Sequence, residues 1–250
     1  MPDLHAATRG FANAAEAYER GRPDYPAAAV ERIVARLDLR PGRTVVDLAA
    51  GTGKLTRLLV PSKANVLAVE PVREMRAELE RRVPGVVALA GTAERMPLTH
   101  SYADAVTVGQ AFHWFEQDEA LREIHRVLRP GGGLALIWNA RDERDPVQAA
   151  LSEVIDPLEG DTPRRKKREW RSLLSESGLY ERCERSLFEH EQPVDEQGLV
   201  ERAISISFIA AAPKSVRDDV EARVREIARG AKQPIRLPYM TELYLGFKPR

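Results

Sequence analysis

From Thr44 onward, short apolar runs alternate with stretches of helical spacing. Thr44-Val45-Val46-Asp47-Leu48 is a compact apolar run, as a strand buried on both faces requires. Gly51-Thr52-Gly53 then turns the chain, and a helix is expected from Lys54 to Leu59. Asn65 to Glu70, Val86 to Leu89 and Ala103 to Val108 read as three more strands. A charged, partly amphipathic helix fits Arg73 to Arg82. Asp118 to Leu128 sets Ala120, Leu121, Ile124 and Leu128 along one helical side. Pro130-Gly131-Gly132-Gly133 stops that helix, and Leu134 to Trp138 is a fifth strand. Strands alternating with helices predict a parallel sheet with right-handed crossovers.

The flanks follow other rhythms. Phe11, Ala14, Ala15 and Tyr18 have helical spacing, and Arg22-Pro23-Asp24-Tyr25-Pro26 ends that segment. A second helix is expected from Ala27 to Leu37. After Asn139 the pattern changes: Arg141 to Asp145 is turn-like, and the basic cluster Arg164 to Arg168 leads into a helix through Leu174 that Gly178 stops. A strand over Arg182 to Glu191, helices over Gln197 to Ile209 and Ser215 to Ala228, and a last strand over Met240 to Phe247 complete the reading. This divides the chain into an N-terminal helical lid (1–40), a core (41–140) and a helical cap with the final strands (141–250), all within one structural unit.

Charge narrows the partners. Lys plus Arg and Asp plus Glu are 38 each, so no whole-molecule attraction to nucleic acid or anionic lipid is expected. The basic cluster at 164–168 reads as a solvated helix face. Cys183 is the only cysteine, which excludes an intramolecular disulfide and a cysteine zinc cluster. His5, His100, His125 and His190 lack metal-ligand spacing, and no metal is expected. The first ten residues lack an apolar signal core, and the longest apolar runs are too short for a bilayer. A cytoplasmic protein acting on a small molecule is the expectation; the oligomeric state is not legible.

The candidate chemistry lies where the strands end. Ala49-Ala50-Gly51-Thr52-Gly53 is small enough for backbone to approach a ligand, and the helix after it points free N–H groups at the same space. Glu70 ends the second strand about 20 residues further on, where an acid reaches ribose hydroxyls in open parallel sheets. A dinucleotide fingerprint needs a third glycine where Thr56 stands, and Asp47 sets a negative charge beside the place of a pyrophosphate. A phosphate loop fails because Leu55 follows Gly53-Lys54. A nucleoside cofactor with a cationic end suits the acid better.

The motifs, in this order and spacing, resemble those of class I S-adenosylmethionine-dependent methyltransferases of the small-molecule, trans-aconitate methyltransferase-like type. Val45 to Gly53 is similar to the family's first motif, Val69-Glu70-Pro71 to its acidic strand end, Gly91 to Leu98 to its adenine-side motif, and Arg126 to Gly132 to the segment before strand five. Phe11, Tyr18, Arg22, Pro23, Tyr25 and Pro26 resemble its N-terminal lid. The resemblance implies a Rossmann-like, doubly wound α/β fold with a mainly parallel seven-stranded sheet and an antiparallel last strand. It implies S-adenosylmethionine as cofactor, with S-adenosylhomocysteine as product. Asp47, Ala49, Gly51 and Gly53 would then hold the methionine moiety, Glu70 the ribose, Pro71 and Met75 the adenine face, and Thr92, Ala93 and Glu94 the adenine edge. Gln110 and Ala111 would lie near the sulfonium, and Tyr18 and Arg22 would close over the methionine end. Two positions depart from the family pattern: Ala49-Ala50 replaces Gly-Cys, and Thr92 stands where Asp is usual.

Ala111-Phe112-His113-Trp114-Phe115 is the most individual segment. At least one of its aromatics is expected to fill core. His113, with an ordinary pKa of about 6.5, is the candidate general base. The acceptor atom expected is a carboxylate or hydroxyl oxygen. The competing readings are a nucleic-acid or protein methyltransferase using Arg164 to Arg168, and a catalytically silent S-adenosylmethionine-binding protein.

Overall fold

The computed structural model describes residues 21–160 and 170–250, the side chains of residues 170 and 171 excepted. The expected N-terminal helix with Phe11 and Tyr18, and the basic cluster at 164–168, lie outside the described residues. Helix α1 (Ala27–Arg36) leads into β1 (Thr44–Leu48), α2 (Lys54–Leu59), β2 (Asn65–Val69), α3 (Arg73–Arg82), β3 (Val87–Leu89), β4 (Ala103–Gly109), α4 (Gln117–Val127) and β5 (Leu128–Arg141). Then come α5 (Pro146–Ile155), α6 (Trp170–Glu176), β6 (Glu181–Val194), α7 (Glu196–Ile204), α8 (Ser207–Ala210), α9 (Lys214–Gly230) and β7 (Ile235–Phe247).

The seven strands form one mixed, mostly parallel sheet in the order β3-β2-β1-β4-β5-β7-β6. β1 pairs in parallel with β2 on one side and β4 on the other, so the strand order reverses at β1. In open α/β sheets ligands bind beyond the carboxyl ends of the strands at such a reversal. Alternation along β1 sorts the two cores. Val46 and Leu48 pack with α4 residues Leu121 and Ile124. Val45 packs on the opposite face with Ile33 of α1 and with Leu55 and Leu59 of α2. This is the doubly wound arrangement expected, with helices on both faces.

Several boundaries differ from the sequence reading. β5 begins at Leu128 rather than Leu134, because the glycine run is absorbed as a register shift between Ala103 and Ala105 rather than a break. Gly133 leaves room there: a Cβ would sit 2.4 Å from Leu37 Cδ2 and 3.1 Å from Phe247 Cε1, so those side chains would have to shift. The expected helix over 197–209 is two helices, α7 and α8, since Ser205 Oγ donates to the Arg202 carbonyl and Ile206 is extended. β7 starts five residues earlier than expected, at Ile235 rather than Met240. Helix α5 follows the turn-like segment at 141–145; Asp145 caps it by accepting from Val147 and Gln148 N–H, and Pro146 opens it.

The described residues fall into two compact units. One holds 25–139, 170–188 and 241–250 and carries the cores already given. The other holds 21–24, 140–160 and 189–240. Its own apolar core joins Leu151 and Val154 of α5, Leu199 and Ala203 of α7, and Val220 and Val224 of α9.

Candidate active site

Asp47, next to last in β1, lies on the face toward α2 and is 1% exposed. Its Oδ2 accepts from Thr56 Oγ1 at 2.6 Å and its Oδ1 from Thr107 Oγ1 at 2.8 Å. The Thr56 backbone N–H also donates to it. Burial pushes its pKa up to about 6 against the pull of these bonds. One carboxylate thus ties together the end of β1, the first turn of α2 and strand β4. The helix is only six residues long, and this N–H is already taken by Asp47.

The loop that Asp47 anchors needs left-handed backbone. Ala49 has φ 53°, Gly51 58° and Gly53 88°. At Gly53 a Cβ would come within 3.0 Å of Leu79 Cγ, so its glycine serves packing. At Gly51 a Cβ would meet nothing within 4 Å. Gly51 therefore borders open space.

Glu70 closes that space from β2. It is 6% exposed; Oε2 accepts from Gly51 N–H at 3.0 Å and Oε1 from Val72 N–H at 2.9 Å. Burial raises its pKa, and the two N–H bonds oppose the rise. Arg76 Nη1 donates to the carbonyls of Glu70 and Pro71, at 2.7 and 2.8 Å, and fixes the turn into α3. Met75 is 3% exposed and Pro71 half-buried.

The next segments sit at neighbouring strand ends. Beyond β3, Thr92 and Arg95 exchange backbone hydrogen bonds, Ala93 is buried, and Glu94 Oε1 accepts from Glu116 N–H at 3.1 Å. Beyond β4, Gln110 is left-handed at φ 60°, its N–H donates to the Ile137 carbonyl, and its Nε2 donates to the Asn139 carbonyl at 3.4 Å. Non-glycine residues held in this region cluster at functional sites, and Ala49 and Gln110 follow adjacent strands. Ala111 is half-buried. Phe112 is fully buried in the core, as expected of one aromatic there. His113 is half-buried, 4.8 Å between ring centroids from Trp114 and edge-on to Trp138, also at 4.8 Å.

The structure thus brings Asp47, Ala49, Gly51, Gly53, Glu70, Pro71, Met75, Thr92, Ala93, Glu94, Gln110 and Ala111 to the carboxyl ends of four adjacent parallel strands. Arg22 belongs to the other unit, where its Nη2 donates to the Ser205 carbonyl at 3.4 Å. Tyr18 lies outside the described residues. Sequence reasoning missed Thr56 and Thr107 as the partners of Asp47. Thr107 carries a signal, a polar side chain inside the buried run of β4. It also missed that the Tyr25 ring reaches β4, where a Cβ on Gly109 would fall 2.5 Å from its hydroxyl oxygen.

Open space over Gly51 beside a buried acid suits a nucleoside. A carboxylate offers about four acceptor sites, and Glu70 uses two on its own backbone. Among the described residues no group of three or more His, Cys, Asp or Glu is placed to hold a metal, and no helix is long and apolar enough to cross a membrane.

Comparison with known proteins agrees with this geometry. The methyltransferase domain family matches residues 46–136. An uncharacterized methyltransferase of Mycobacterium tuberculosis is 39% identical over 236 residues, 92% of each chain. One from Schizosaccharomyces pombe is 34% identical over 85% of this chain and 84% of its own. A ubiquinone/menaquinone biosynthesis C-methyltransferase of Rubrivivax gelatinosus is 40% identical over 93 residues, 36% of this chain and 37% of its own. Among solved structures, the YcgJ protein of Bacillus superposes with a TM-score of 0.60 at 20% identity, over 89% of this chain and 99% of that one. A Haemonchus contortus N-methyltransferase bound to S-adenosylhomocysteine superposes at 0.53 and 15% identity, over 88% of this chain and 52% of that one. From its strand-end site and its near full-length relatives, the chain belongs to the class I S-adenosylmethionine-dependent methyltransferases.

Proposed function

We propose that this methyltransferase acts on a small molecule, at a carboxylate or hydroxyl oxygen, with His113 as the general base where the acceptor is a hydroxyl. What carries the reading is His113 itself. It follows Gln110 and Ala111 beyond β4 and lies against the rings of Trp114 and Trp138. The zero net charge supports a small acceptor over a polymer. The Rubrivivax relative methylates carbon by its name, but its match covers only 36% of this chain.

The cofactor supplies an already activated methyl group, so the chain's task is alignment and proton removal. Glu70 would accept from the ribose hydroxyls. The Ala49–Gly53 backbone, pinned by Asp47, would hold the methionine moiety. Pro71 and Met75 would bear on the adenine face, and Thr92, Ala93 and Glu94 on its edge. Gln110 and Ala111 would lie near the methyl. With a hydroxyl acceptor, His113 would take the proton at a ring nitrogen as the oxygen attacks the methyl; a carboxylate acceptor is already deprotonated and needs no base.

A labelled-methyl assay over hydroxyl and carboxylic acid acceptors tests this. Expected is base-labile or ether-linked label on a small molecule. Label only on carbon, nitrogen, RNA or protein contradicts it. His113→Gln is expected to slow turnover by about 100-fold while S-adenosylmethionine affinity stays put. Equal turnover removes His113 from the mechanism.

A further inference from the structure

The unit built on α5, α7 and α9 buries a cation in its aliphatic core. Arg202, on α7, is 7% exposed. Its Nε donates to the Tyr239 hydroxyl at 3.0 Å, and its guanidinium carbon lies 6.0 Å from the centre of that ring. The Tyr239 hydroxyl donates in turn to Gln192 Oε1 at 3.4 Å, and Gln192 Nε2 to the Gly21 carbonyl at 3.3 Å. His190 stacks on the far side of the network, 5.4 Å from Tyr239 between ring centroids, and Asp24 acts on His190. Nothing in this chain of bonds is an anion for Arg202. Its Nη1 is sealed from solvent and has no acceptor among the described residues, and none of the described carboxylates pairs with it.

A buried guanidinium without a counter-ion is a standing cost to the fold, and apolar replacements of buried ions are often neutral or stabilising. Among the described residues, the Tyr239 bond alone gives the fold a reason to keep Arg202. We propose that Arg202 and Tyr239 form a carboxylate-binding subsite that takes a small organic acid. With Nε fixed on Tyr239, the parallel Nη1 and Nη2 donors form the remaining fork. That fork matches the two oxygens of one planar carboxylate. One cation neutralises one carboxylate, whereas a phosphate dianion would leave uncompensated charge in the core. The carboxylate belongs either to the methyl acceptor or to a separate acid; the chemistry at Arg202 is the same.

The test is binding, not turnover, so it stands apart from the proposed methyl transfer. The full-length protein is titrated with succinate, citrate, benzoate and hexanoate at constant ionic strength, with inorganic phosphate as control, and followed by thermal unfolding and calorimetry. Expected is saturable binding of at least one acid. Arg202→Met should weaken it by about 10- to 100-fold and unfold no earlier than the wild type when no acid is present. Arg202→Lys, which keeps the charge and loses the fork, should fold and bind weakly. Label from S-adenosylmethionine on the bound acid identifies it as acceptor; binding without label identifies a separate acid. Wild-type affinity in Arg202→Met, phosphate binding as well as the acids, or no acid bound at millimolar concentration overturns the proposal.

Discussion

At the carboxyl ends of β1 and β2 all four oxygens of the two buried acids have donors from their own chain: Thr107 and Thr56 for Asp47, Gly51 and Val72 for Glu70. In the unit of α5, α7 and α9, Arg202 is as deeply buried, yet one of its amino groups has no acceptor among the described residues. The acids shape a loop before any ligand arrives, so they serve the fold and the site together. The arginine bonds Tyr239 through Nε, but its Nη1 meets no acceptor among the described residues. Buried charge that is fully paired holds a binding loop in place, and the open donor of Arg202 is the one proposed above to meet an outside carboxylate.

That contrast breaks first at Asp47. Asp47→Ala strands two threonine hydroxyls and one N–H, and is expected to cost about 3 kcal/mol of stability in denaturant melts and most of the cofactor affinity. Wild-type stability in that variant would mean that the acid is not structural. The same carboxyl has a pH signature. Its folded pKa of about 6 lies above the ordinary 3.8, so the folded state holds the proton more tightly. Its stabilising contribution is whole below pH 4 and is lost as pH rises through 6. Relative to Asp47→Asn, the wild type should therefore lose up to about 3 kcal/mol across that window, and a flat difference contradicts the assignment.

Smaller effects separate the two glycines. Gly53→Ala drives a methyl against Leu79 and Val83 at left-handed φ and should lower stability by about 2 kcal/mol. Gly51→Ala meets open space, so it should cost only about 1 kcal/mol of backbone strain while weakening cofactor binding more than Gly53→Ala does. Reversal of that order would place the ligand elsewhere. Smallest is the expected change in unfolding temperature of acid-free Arg202→Met, near zero or upward.

The sequence reading reached the first unit further than the second for a physical reason. β1 to β4 are short runs buried on both faces, and glycines and acids punctuate their ends, so Asp47, Gly51 and Glu70 stand out by type and spacing. What escaped is contact across distance in sequence. Thr107 lies 60 positions from Asp47, and Tyr25 reaches Gly109 from before α1. β5 was read short because its glycines signal a break locally, while α1 and β7 packing makes them part of a strand. In the second unit, α5 follows a charged turn whose Asp145-Pro146 start signal was passed over. Arg202 sits among helical charges, and nothing local distinguishes it from a solvated arginine.

The most direct test of the central account is calorimetric titration of S-adenosylmethionine into the wild type and Glu70→Gln, with NAD as the competing nucleoside cofactor. The account predicts one-to-one binding to the wild type, affinity reduced by about 10- to 100-fold in a folded Glu70→Gln protein, and no binding of NAD. Equal affinity in both proteins, or binding of NAD in place of S-adenosylmethionine, would contradict it.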